Sequence, residues 1–274
     1  MLLIRPLQPA LRRMKGMPSP ESVTAKRFAA TVSYDGGAFV GSQRQPNGRT
    51  VQEELETAAA ALFGGACRVE LAGRTDSGVH AIGQVMACSA FTALDAKTVG
   101  RALNAHLPED VAVRLVREAS MDFDPRRAAR RRWYRYSVWN GQAREPTLRR
   151  VSHFAGGTLA EGEMQRGAES LVGRRDFRAC SGPIEPERTY VRTVFSAGWR
   201  REGDALLFDI EADAFLPQMV RRLVGALLRV GRGSLSVEDL ARLLAGPETG
   251  TIGPAAPPQG LCLQQVWYDE GYRV

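Results

Sequence analysis

Residues 189–213, TYVRTVFSAGWRREGDALLFDIEAD, constrain the fold most. Two runs of alternating character are separated only by Glu202-Gly203-Asp204, and so short a connection joins antiparallel neighbours. The same patterning recurs along the chain. RFAATVSYDGG, from Arg27, sets Phe28, Ala30, Val32 and Tyr34 on one face and closes on an Asp-Gly turn. CRVELAG and GQVMACSAF read as strands flanking a loop, VAVRLVREA as another strand, and LCLQQVWY as the last. In WYRYSVW, Tyr134, Tyr136 and Val138 face one way, and Trp133, Arg135, Ser137 and Trp139 face the other.

Helical patterns fall between these segments. Thr50, with Glu53 three residues on, has the form of a capping box. Val51, Leu55, Ala58, Ala59 and Leu62 then share a face, and Gly64–Gly65 is the stop. Further helices are predicted over 95–106, near 163–172, over PQMVRRLVGALLRVG (217–231), and from a Ser236 cap to Gly246. Strands joined by hairpins, without regular βαβ alternation, predict an α+β fold with largely antiparallel pairing. Three segments result: an N-terminal extension over 1–26 predicted to be disordered, an α+β half over 27–125, and a basic strand segment with a second α+β half over 126–274.

The chain has 274 residues, enough to bury a real core in one large domain or two of moderate size. No apolar run reaches the roughly 18 residues of a membrane helix, so the sequence reads as a cytoplasmic protein with no membrane partner. Cys67, Cys88, Cys180 and Cys262 stand far apart with no C-x-x-C pair, and His80, His106 and His153 are equally scattered. Neither a disulfide framework nor a zinc site fits that spacing, and the thiols are expected to fill core.

Charge is more informative. Between Arg126 and Arg150 stand nine arginines against one acid, Glu145, so this segment carries +8 and the remaining chain −1 of a total of +7. Interleaved with Trp133, Tyr134, Tyr136 and Trp139, such a patch suits phosphates and stacked bases. It also fits a solvated basic face or an acidic protein partner. If about five of these arginines touch phosphate, affinity should fall with salt at a log–log slope of about −0.7 to −0.9 per contact.

LAGRTDSGVHAIGQV, residues 71–85, places a lone carboxylate, Asp76, in the loop between two strands. Asp-Ser-Gly is ordinary turn chemistry, in which the aspartate caps its own backbone. The functional reading draws on Arg74, two residues away and able to meet Asp76 within the loop, so that the acid is a standing anion available as nucleophile or base. Hydrolytic glycosidases need a second carboxylate at fixed separation, and the motif has none. A lone anionic aspartate suits a reaction that retains the departing group, such as glycosidic isomerisation.

AGRTDSGVHAIGQV closely resembles the signature of the tRNA pseudouridine synthase A family. YDGGAFVGSQRQ, RRWYRYSVWN, DAFLPQMVRRLVGALLRVG and APPQGLCLQQVWY resemble other blocks of that family, in the family's order, over about residues 27–270. The resemblance implies the pseudouridine synthase fold: two similar α+β halves with largely antiparallel sheets flanking a central cleft. It implies conversion of uridine to pseudouridine in the anticodon stem-loop of tRNAs, by a homodimer, without cofactor or metal. Asp76 matches the catalytic aspartate, which acts by attacking the nucleoside or by assisting proton abstraction from the sugar. Tyr134 matches the tyrosine that stacks on the target base, Arg74 the motif arginine beside the flipped nucleotide, Arg221 a helix arginine that pairs with the aspartate, and Leu261 an apolar residue of the uracil pocket.

Three positions depart from the family pattern. Ser42 stands where many relatives carry Trp, so that a stacking role there is lost. Ser77 replaces an alanine. Pro217 replaces a residue usually basic or histidine, removing an RNA contact and altering the helix start. Two readings from other classes stay open: a non-catalytic tRNA-binding protein, and a nucleosidase that releases free base.

Overall fold

The computed structural model describes residues 23–182, 184 and 189–269, so most of the predicted N-terminal extension (1–22) lies outside the described residues. In chain order the elements are β1 (Thr24–Tyr34), α1 (Val51–Phe63), β2 (Val69–Leu71), β3 (His80–Thr92), α2 (Ala96–His106), β4 (Val111–Ala119), β5 (Arg131–Trp139), β6 (His153–Phe154), α3 (Glu161–Glu169), β7 (Gly173–Asp176), β8 (Val191–Glu202), β9 (Ala205–Ala212), α4 (Met219–Gly231), α5 (Val237–Leu244) and β10 (Leu261–Trp267).

The strands form one sheet in the order β4-β1-β3-β10-β5-β9-β8-β7, with β2 added to β3 and β6 to β5. Pairing is antiparallel except for β10 on β3 and β6 on β5, which makes the fold α+β as the hairpins predict. The last strand therefore lies in the middle of the sheet, between β3 and β5. Gly83 permits that insertion: a Cβ there would lie 2.0 Å from the Gln264 carbonyl oxygen.

Local chemistry sets the helix ends. The Thr50 hydroxyl accepts from the Glu53 N–H, and α1 stops at Gly64, in the left-handed region at φ 74. Asp95 and Ser236 cap α2 and α5 in the same way. Strand alternation puts Phe28, Val32, Met86, Tyr136, Phe208 and Ile210 in one buried core. A smaller cluster of Ala29, Ala87 and Phe123, with Tyr268 against it, covers part of the opposite face.

Some boundaries differ from the sequence reading. Thr24–Lys26, assigned to the extension, begin β1 because they pair with Ala90–Thr92 of β3. Helix α3 starts two residues earlier than predicted, at Glu161, and ends at Glu169. Helix α4 starts at Met219, since Pro217 and Gln218 stand outside it and Gln218 adopts φ 60. Strands β6 and β7 are too short to produce an alternating pattern. Among the described residues no helix is long and apolar enough to cross a membrane.

Candidate active site

Asp76 lies in the loop from β2 to β3, joined to Gly41 by an isolated antiparallel bridge. Its carbonyl accepts from the Val79 N–H at 3.2 Å, closing a turn. Gly78 makes that turn at φ 78, where a Cβ would also stand 2.8 Å from Pro258 Cγ. Turn chemistry and presentation of the carboxylate are thus one device: the backbone is consumed by the turn while the side chain opens onto a cavity of about 840 Å³.

That cavity gathers all five residues singled out from the sequence: Arg74, Asp76, Tyr134, Arg221 and Leu261. They come from the β2–β3 loop, the middle of β5, the first turn of α4 and the first residue of β10. The central place of β10 between β3 and β5 is what brings such distant segments together.

Arg221 Nη1 donates to Asp76 Oδ2 at 3.0 Å, with both side chains largely withdrawn from solvent. The guanidinium is fixed from behind: its Nε donates to the Ala256 carbonyl at 2.9 Å, and the Ala256 N–H returns a bond to the Arg221 carbonyl at 2.9 Å. A charge-assisted pair with one partner so anchored holds the carboxylate in one orientation.

Arg74 is not the partner of Asp76. It lines the cavity but is exposed, and among the described residues it forms no ion pair. The carboxylate is already engaged by a guanidinium arriving from α4, while Arg74 turns to the cavity rim. Adjacency in the motif is therefore not contact.

Tyr134 is almost completely buried, with its ring edge-on to Phe215 at 5.1 Å between centroids. Burial pushes its phenol well above the ordinary value, with the Tyr34 and Asp76 charges acting in the same sense, so the ring stays neutral. Leu261 is buried opposite Tyr136.

The nine arginines of residues 126–150 do not make one patch. Strand alternation divides them, sending Arg131 and Arg135 to the face away from the cavity. There they pair with Glu211 and Asp209 and lie against Trp267 and Trp133. Arg130 pairs with Asp269 and Arg150 with Asp35. Only Arg126 and Arg132 of the nine reach the cavity. Its positive character comes instead from six arginines of several segments (44, 74, 126, 132, 192 and 221), against Asp76 as the one carboxylate among its described lining residues.

Arg132 and Gln84 were not singled out as site residues from the sequence, and Ser42 was noted only for a lost aromatic ring. Arg132 is buried and donates to three carbonyls: Asp213 at 2.7 Å, Ala72 at 2.9 Å and Arg126 at 3.0 Å. Alternation along β5 carries the signal, because Arg132 falls on the inward face with Tyr134 and Tyr136. Gln84 lies wholly buried and brackets Gly73, donating to its carbonyl at 2.9 Å and accepting from its N–H at 3.3 Å. Ser42 does not line the cavity. It is buried beneath the Asp76 loop and bonded to Thr75, for which the sequence carries no local signal.

Comparison with known proteins gives the family. The family described as tRNA pseudouridine synthase matches residues 30–126 and 168–269. Proteins named tRNA pseudouridine synthase A are similar over most of the chain. The one from Geotalea daltonii is 38% identical over 237 residues, covering 86% of this chain and 97% of the relative. That from Myxococcus xanthus is 42% identical, covering 89% and 93%, and that from Chloroflexus aurantiacus 42%, covering 90% of each. With matches of this extent on both sides of the sheet, the chain belongs to the tRNA pseudouridine synthase family.

Proposed function

We infer that this protein isomerises uridine to pseudouridine in tRNA, within the anticodon stem-loop, with Asp76 as the catalytic carboxylate. The observation that carries the reading is the Asp76–Arg221 pair on the wall of a cationic cavity that also holds Tyr134 and Leu261. The reaction breaks the N1–C1′ bond, turns the freed uracil and joins C5 to C1′. The C5 hydrogen leaves and N1 gains one, so the balance requires no redox partner. A carboxylate held by a fixed guanidinium can act at the sugar without losing its orientation as charge shifts.

A stem base must first be flipped out, at a cost of a few kcal/mol. Tyr134 offers a neutral aromatic face for the extruded base and Leu261 an apolar wall. Arg74, exposed on the rim and free of ion pairs among the described residues, serves the phosphates or the vacated stack. The protein works in the cytoplasm as a homodimer, with tRNA as its partner.

The test uses unmodified tRNA transcripts incubated with the enzyme, then mapped for pseudouridine by base-specific chemical derivatisation and primer extension. Conversion confined to the anticodon stem-loop supports the proposal. Conversion only elsewhere in the tRNA would remove the assignment of the stem-loop while leaving the reaction class, and free uracil without pseudouridine would overturn the isomerase reading.

A further inference from the structure

The peptide preceding Asp76 is held by an unusual number of buried polar groups. Thr75 is nearly inaccessible, and its N–H donates to Ser42 Oγ at 2.8 Å while its carbonyl accepts from the Ser42 N–H at 3.1 Å. The Ser42 carbonyl in turn accepts from Gln52 N–H at 2.9 Å, tying this contact to the first turn of α1. On the other side, Thr75 Oγ1 and the Tyr34 hydroxyl are 2.9 Å apart, and Gln84 Nε2 donates to that hydroxyl at 3.4 Å. Either hydroxyl can donate in the Tyr34–Thr75 contact, and both are held in place by it. Gln84, Tyr34, Thr75 and Ser42 are all buried, so none of these bonds exchanges readily with water.

We propose that Ser42 is a positioning residue for Asp76: its hydroxyl satisfies the Thr75 N–H and so fixes the peptide plane from which the catalytic side chain departs. Two physical points favour this role over simple packing. Ser42 does not line the cavity, so it acts on the substrate only through the loop. And Thr75 is nearly inaccessible, so losing the acceptor orphans a donor one residue from the carboxylate. The loop would relieve that orphan by moving, and the Asp76–Arg221 geometry would move with it. Ser42, Thr75 and Gln84 do not ionise, and Tyr34 has its phenol pushed up to about 12 by burial, so the support does not change across the physiological range.

The proposal rests on the isomerase reading for its kinetic arm but not for its structural one. Ser42→Ala removes the acceptor, and Ser42→Cys keeps the volume while offering only a weak sulfur acceptor. Single-turnover pseudouridine formation should fall about tenfold in Ser42→Ala, equivalent to ~1.4 kcal/mol. Ser42→Cys should lie close to it, and tRNA affinity should stay within about twofold of wild type for both. Amide exchange of residues 72–79 should accelerate in both variants. Full activity in Ser42→Cys would show that filling the space suffices and would overturn the proposal. So would unchanged amide exchange in Ser42→Ala, whatever the activity. An inactive wild type would count against the isomerase reading alone, since the exchange measurement still decides the role of Ser42.

Discussion

Arg132 offers the sharpest energetic prediction. Its guanidinium is buried, has no carboxylate bonded to it among the described residues, and grips the carbonyls of Asp213, Ala72 and Arg126. The Asp213 carboxylate nearby is occupied by the N–H groups of Thr193 and Ala214. Burial lowers the Arg132 pKa from its ordinary value, the expected response of a cation withdrawn from water. Arg132→Met removes three bonds made by a charged donor, at roughly 1.5–3 kcal/mol each, but also removes the cost of burying the charge, which is several kcal/mol. The difference is a net loss of about 3 kcal/mol, smaller than the total stability of a typical domain. For a chain of this size the unfolding midpoint should drop by roughly 6–12 °C. The three carbonyls belong to the Asp76 loop, the start of the arginine segment and the approach to α4, so the folded variant should also lose isomerisation rate. Differential scanning calorimetry with single-turnover kinetics measures both. A midpoint within about 2 °C of wild type would refute the view that Arg132 ties these segments together.

Two other outcomes follow from the geometry. Because Arg74 lines the cavity while Arg131 lies across the sheet on Glu211, Arg74→Gln should reduce the log–log salt slope of tRNA binding by about 0.7–0.9 and Arg131→Gln should leave it unchanged; equal slopes for the two variants would contradict the division of charge described above. Burial raises the phenol pKa of Tyr34 to about 12, and also raises those of Tyr134, Tyr136 and Tyr268. A folded pKa above the unfolded value contributes stability that is complete below the ordinary phenol range near pH ~10 and is lost as pH rises through the folded values. Phenolate absorbance from these residues should therefore appear together with unfolding in an alkaline titration, and complete ionisation near pH ~10 in an intact fold would contradict their burial.

Much of this site is legible in the sequence, for definite reasons. Motif spacing exposes Asp76, because an aspartate two residues before a glycine in an interstrand loop needs the turn that the structure contains. Alternation along β5 separates Tyr134 from Arg135, and helical periodicity gives the stripe of α4. What sequence distance hides is the insertion of β10 between β3 and β5, which no local pattern announces and which pairs Leu261 with Tyr136 and brings it to the cavity that Asp76 lines. The charge run from Arg126 to Arg150 misleads for a related reason. A count along the chain ignores the strand's two faces and the acids, Glu211, Asp209, Asp269 and Asp35, that arrive from elsewhere to meet it. Ser42 shows the converse: a polar residue whose value lies in buried backbone contacts is visible only once the chain has closed around it.

The central claim is that Asp76 carries out the rearrangement of uridine, and its most direct test follows hydrogen at uracil C5. An unmodified tRNA transcript tritiated at that position releases tritium to water only when C5 becomes joined to the sugar. Wild type should release it, and Asp76→Ala should bind the transcript but release none. Release by Asp76→Ala at the wild-type rate, or binding without release by wild type itself, would contradict the account.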